Sequence, residues 1–100
     1  MLRILPGIDF DALDRAPKSI IGYSDITAFH AAVQRRCRLI TYHGPTAREP
    51  MSGFSRDSLV RAVVDQTDSC GVAPNAREIS HGKAEGRLAG GNLAVLASLC

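Results

Sequence analysis

Two periods of apolar and polar positions run along this chain, and the change from one to the other marks the stretch Lys18 to Phe29, K-S-I-I-G-Y-S-D-I-T-A-F. Ser19-Ile20-Ile21-Gly22 is a short apolar run of β type that stops at a glycine. From Ile26 a helical spacing takes over. Ile26, Phe29, His30, Val33 and Cys37 fall on one stripe, which predicts a helix from about Asp25 to Arg36. Leu39-Ile40-Thr41-Tyr42 is a second β run, closed by His43-Gly44-Pro45. Strand, helix, strand in this order is the βαβ unit of an α/β fold with a parallel, Rossmann-like sheet.

Upstream, Leu2, Ile4, Leu5, Ile8, Phe10 and Leu13 are apolar but interrupted by Pro6-Gly7, so the pattern predicts one turn, a break, and a short helix near Asp9 to Arg15. Downstream, Leu59, Val60, Val63 and Val64 predict a helix from Ser55, as its cap, to Gln66. Residues 67–76 are polar and turn-rich and read as a linker. Arg77 to Ser80 and Ala84 to Ala89 are expected edge strands, and an apolar helix is expected from Leu93 to the last residue. The chain is thus expected to hold the end of an amino-terminal domain (1–66), a linker (67–76) and the start of a second domain (77–100). An apolar helix still running at residue 100 reads as a piece of something longer.

Composition narrows the function classes. With 100 residues and 45% apolar content the chain supports a modest core. A net charge of +2, interspersed signs and only 5% aromatics, with no Trp, argue against nucleic-acid binding. Cys37, Cys70 and Cys100 are too far apart for paired metal ligands and read as reduced thiols of a cytoplasmic protein. His30, His43 and His81 are equally scattered. No metal or cofactor is expected, and neither a signal peptide nor a membrane span is read in the sequence.

Ser24 is the candidate for chemistry, because a serine at a sharp strand-to-helix turn presents its hydroxyl at the carboxyl edge of a sheet beside the free N–H groups of the helix. The alternative is an ordinary helix N-cap, a position that Ser and Asp both favour. His30 reads as a packed, hydrogen-bonded core histidine. His43 could face the same edge as Ser24 and serve as its base, or be a turn residue bonded to backbone. Gly90-Gly91-Asn92 before the last helix lacks the spacing of a dinucleotide or P-loop motif, so a phosphate-binding module is the weakest reading.

Three phrases taken together, I-I-G-Y-S-D-I-T-A-F at 20–29, I-T-Y-H-G-P at 40–45 and G-K-A-E-G-R-L-A-G-G-N-L-A-V-L at 82–96, resemble the LD-carboxypeptidase family of serine peptidases, which includes the microcin C immunity peptidases. Leu5-Pro6 and Ile8-Asp9-Phe10 are similar to a further segment of that family. The resemblance implies Ser24 as nucleophile and the backbone N–H of Asp25 as one oxyanion-hole donor. It also implies a metal-free cytosolic hydrolase, typically a homodimer, that cuts the amide before a terminal D-amino acid in muropeptides.

The departures set further expectations. The family's glycine-rich segment, with the second oxyanion donor, lies upstream of the matched region, and its catalytic Glu and His lie downstream of G-G-N-L. None of His30, His43 or His81 matches that His. Arg38 and Cys37 stand where the family more often has Gly and a small residue. The 100 residues alone are therefore expected to be an inactive fragment of a serine LD-carboxypeptidase. The competing reading is a non-catalytic remnant or a subunit that works with a complementing chain.

Overall fold

The computed structural model describes residues 2–46, 48, 50–69 and 75–100. The chain divides into two compact units, Met1–Met51 with Gly90–Cys100, and Ser52–Ala89.

The first unit starts with a 3-10 segment, Leu2–Gly7, that accommodates Pro6. Helix α1 (Phe10–Arg15) follows where the pattern expected it, because Asp9 caps it by accepting the Ala12 N–H at 2.8 Å. Strand β1 (Ile21–Gly22) leads through a 3-10 turn, Ser24–Ile26, into helix α2 (Thr27–Arg36). Strand β2 (Tyr42–His43) then lies parallel to β1, with Ile21 opposite Tyr42 and Gly22 opposite His43. Flanking bonds extend the ladder, from Tyr42 N–H to the Ile20 carbonyl at 2.9 Å and from Gly44 N–H to the Gly22 carbonyl at 3.1 Å. The expected strand-helix-strand order and the parallel pair are both present.

The core sits under α2. Phe10, Val33 and Cys37 are buried together, with Leu5, Ile8, Leu13, Ile20, Phe29, Ala32 and Leu39 packed around them. The Phe10 and Phe29 rings are 6.3 Å apart between centroids, and the Arg36 guanidinium covers the Phe10 ring at 4.6 Å. The Cys37 thiol donates to the Phe10 carbonyl at 3.5 Å. Burial, with Asp14 and Asp11 nearby adding to it, raises the Cys37 pKa. The stripe read from the sequence is rotated slightly: Thr27, Ala28, His30 and Val33 are the buried residues of α2.

Helix α2 stops at Cys37, and Arg38 adopts a left-handed backbone with φ 55°. That is the position where a glycine ends a helix at least cost.

In the second unit helix α3 (Gly53–Val60) begins earlier than expected. Ser52, not Ser55, is its cap, accepting the Ser55 N–H at 3.2 Å. The helix widens into a π turn, Arg61–Asp65, and ends at Gln66 in a left-handed conformation, close to the expected end. The edge strands expected at 77–80 and 84–89 are absent: both segments are irregular, and Ile79 and Leu88 are 99% and 85% exposed. A strand needs a partner ladder, and none lies beside them among the described residues. Residues 70–74 of the expected linker, and Cys70 with them, lie outside the described residues.

Helix α4 (Leu93–Ala97) returns to the first unit and packs against α2. Asn92 caps it, its side-chain oxygen accepting the Val95 N–H at 3.1 Å. It ends at Ser98 instead of running to Cys100, because the Ser98 hydroxyl donates to the Val95 carbonyl at 2.6 Å and the chain tightens into a last turn. Among the described residues no helix is long and apolar enough to cross a membrane.

Candidate active site

The turn between β1 and α2 places Ser24 at the carboxyl end of the parallel pair. Tyr23 is extended, with φ −140° and ψ 173°, and the next residue, Ser24, has φ 61°. Left-handed backbone costs a non-glycine residue about 1–2 kcal/mol and persists only where the surroundings impose it. Gly22 shows one such constraint, since a Cβ there would sit 3.0 Å from Cγ2 of Ile26. A larger residue before the bend would have to push the Ile26 side chain back by a few tenths of an ångström.

A capping serine has an extended backbone and accepts an N–H two or three residues on. Ser24 does neither. The residue flanking the 3-10 turn is Tyr23, the one flanking α2 is Ile26, and neither end has a side-chain cap. Ser24 is half-buried and its hydroxyl holds no partner among the described residues. Inside the turn the hydrogen bonds run from Ile26 N–H to the Tyr23 carbonyl at 3.4 Å and from Thr27 N–H to the Ser24 carbonyl. The Asp25 N–H takes part in neither, as expected of a first-turn donor.

Two histidines gather beside this edge. His43, opposite Gly22 in the ladder, is exposed, and its ring stands edge-on to Tyr23 at 6.4 Å and to His30 at 6.3 Å. His30 is 4% exposed, and its Nε2 has no hydrogen-bond partner among the described residues. It is a packed core histidine, as expected. Burial lowers its pKa, and the neighbouring His43 lowers it further. Neither ring hydrogen-bonds Ser24. His81 is exposed and pairs with Glu78 at 2.8 Å.

An open groove of about 600 Å³ runs beside Asp25, lined mainly by Leu2, Ile4, Ala28, Ala94 and Val95. Ser24 is not on its wall. Among the described residues no three His, Cys, Asp or Glu side chains converge as metal ligands.

The pattern reading missed Thr27 and its tie to the Gly91 segment. Thr27 is 1% exposed, and its hydroxyl accepts the Asn92 N–H at 2.9 Å across 65 residues of sequence. Only the position of Thr27, three residues after Ser24, could have drawn attention to it.

Comparison with known proteins agrees with the motifs. Residues 1–44 match the profile described as the LD-carboxypeptidase N-terminal domain. The chain is 38% identical over 103 residues to a probable murein peptide carboxypeptidase of Bacillus subtilis, covering 96% of this chain and 32% of that protein. It is 30% identical over 125 residues to a putative carboxypeptidase of Vibrio cholerae, covering 96% and 37%. To the microcin C7 self-immunity protein of Escherichia coli it is 27% identical over 128 residues, again covering 96% and 37%. The chain spans about a third of the length of these relatives. No solved structure matches it.

Proposed function

We propose, for a chain that is a relative of the LD-carboxypeptidases, that Ser24 is the nucleophile of a serine-type LD-carboxypeptidase and that the Asp25 N–H is one donor of its oxyanion hole. The observation that carries this is the left-handed backbone of Ser24, with an uncommitted hydroxyl, between a parallel strand and a helix. The substrate class is a muropeptide ending in a D-amino acid, cleaved in the cytoplasm during peptidoglycan recycling. No metal or cofactor takes part in this reading. The parallel pair belongs, in the same reading, to a Rossmann-like amino-terminal domain over 1–66. A linker at 67–76 and the start of a second domain at 77–100 follow.

The chemistry is acyl transfer. The Ser24 oxygen bonds to the amide carbon, the carbonyl electrons move onto oxygen as an oxyanion, and collapse breaks the C–N bond and expels the D-amino acid as its amine. The serine proton passes through a base to that amine, and water then hydrolyses the acyl-enzyme. His30 and His43 do not hydrogen-bond the hydroxyl. Lacking a positioned base a serine hydrolase loses a factor of about 10⁴ or more, and lacking one oxyanion donor a further ~10²–10³. These 100 residues by themselves are therefore expected to show no appreciable hydrolysis.

The test places this chain in the frame of the Bacillus subtilis relative, replacing the stretch it matches, and measures hydrolysis of an L,D-tetrapeptide and labelling by a fluorophosphonate. Both are expected, with the label on Ser24, and both vanish in Ser24→Ala. A folded chimera that hydrolyses as well with the Ser24→Ala substitution as without it removes the assignment. The competing reading is a subunit that acts only with a complementing chain. In that case labelling of Ser24 appears when the relative's remaining segments are supplied separately, and a remnant without catalysis stays unlabelled.

A further inference from the structure

The Gly90-Gly91-Asn92 segment has no part in the acyl transfer above, yet it meets the Ser24 turn from the far end of the chain. Thr27 is the joint. Its N–H closes the turn on the Ser24 carbonyl, and its hydroxyl accepts the Asn92 N–H at 2.9 Å. Gly91 makes the approach possible. Its φ of 147° is a conformation that side chains rarely adopt, and a Cβ there would collide with Cγ2 of Thr27 and lie 2.7 Å from its Oγ1. Asn92 faces both ways, giving its N–H to Thr27 and its side-chain oxygen to the Val95 N–H at 3.1 Å. Helix α4 is thereby seated on α2.

A left-handed serine relaxes unless it is held from both sides. On the strand side the ladder bonds of Ile20 and Gly22 and the close packing of Gly22 on Ile26 hold it. On the helix side the fully buried Thr27 does so. We propose that Thr27 and Gly91 are positioning residues, and that docking of the Gly90–Asn92 segment on Thr27 clamps the Ser24 turn in its strained form. The catalytic meaning of the clamp rests on the reading of Ser24 as nucleophile; the clamp itself does not. The Gly-Gly-Asn junction thus receives a role as a lock on the elbow and not as a phosphate cradle.

The experiment uses the 100-residue chain, isotopically labelled. NMR reads the Ser24 backbone through its HN–Hα coupling and carbon shifts, and amide exchange reads the Asn92 hydrogen bond. Thr27→Val keeps the shape and removes the acceptor, Thr27→Ser restores an acceptor, and Gly91→Ala blocks the approach. In Thr27→Val and Gly91→Ala the Asn92 amide exchanges about two- to tenfold faster and Ser24 moves toward ordinary backbone. Amides in the second half of α2 keep their protection, and Thr27→Ser behaves as wild type. That rescue is what a merely space-filling Thr27 does not produce, since Val fills the space better than Ser. An unchanged Ser24 in Thr27→Val, with Asn92 exchanging freely, overturns the clamp. Since no catalytic readout enters, failure of the nucleophile reading in the chimera leaves this result standing, and failure of the clamp leaves the chimera's labelling intact.

Discussion

Replacing Ser24 by Ala and by Gly separates the elbow from a helix cap through the order of stabilities. With φ 61° at Ser24, any L-residue carries about 1–2 kcal/mol of left-handed strain that glycine does not. Glycine gives back about 0.4–1 kcal/mol through the greater freedom of its unfolded chain. The net expectation is that Ser24→Gly stabilises the first unit by about 0.5–1 kcal/mol. Ser24→Ala retains the strain, and because the serine hydroxyl caps no N–H the change stays within about 0.5 kcal/mol. A capping serine instead puts wild type first: Ala then costs about 1 kcal/mol and Gly a few tenths. Urea unfolding followed at the α2 amides by NMR, together with thermal unfolding by circular dichroism, reads the difference. About 1 kcal/mol shifts the midpoint by ~4–8 °C in a domain of this size. A loss of about 1 kcal/mol in Ser24→Ala, with Ser24→Gly no more stable than wild type, refutes the elbow. The expected gain in Ser24→Gly is the signature of backbone strain at this position.

Three further outcomes follow from the same geometry. Arg38→Gly, at the left-handed residue after α2, stabilises by about 0.5–1 kcal/mol in the same unfolding assay, whereas Arg38→Ala does not. The pKa of His30 is lowered from 6.5 by burial first and by His43 second, so the unfolded chain binds the more protons. Stability is then full above about 6.5 and falls as pH drops below it, and in His30→Phe this part of the pH profile flattens; a stability that rises on acidification in the wild type contradicts the assignment. Cys100 is exposed, whereas Cys37 is buried with its pKa raised, so iodoacetamide followed by peptide mass spectrometry finds Cys100 alkylated first and Cys37 only as the chain unfolds.

The parts of this protein that local chemistry governs were legible from the sequence. Asp9 and Asn92 each precede an apolar period and accept an N–H three residues on, so α1 and the start of α4 stand where the pattern put them. The βαβ order was legible because two short apolar runs bracket one helical stripe, and the parallel ladder pairs Ile21 with Tyr42 as that order requires. Ser52 displaced Ser55 as cap because two serines three apart satisfy the same signature, and only the geometry of the Ser55 N–H chooses between them. The segments around Ile79 and Leu88 carried strand-like composition without a ladder to join. Composition proposes a strand, but a neighbouring backbone makes one.

What the sequence by itself determined is which residue types stand at the turn: a glycine, a serine after it, and a helix-forming stretch beyond. Those same types also make an ordinary helix start, since propensities describe each residue's own preferences and a serine prefers not to be left-handed. Tertiary structure alone decided that Ser24 is held at φ 61° with its hydroxyl capping no helix. It did so through the parallel strand on one side and, on the other, through a contact between Thr27 and Asn92 that spans 65 residues. No local window contains both ends of that contact, and the energy that holds the serine in its strained form comes from outside its own stretch of chain.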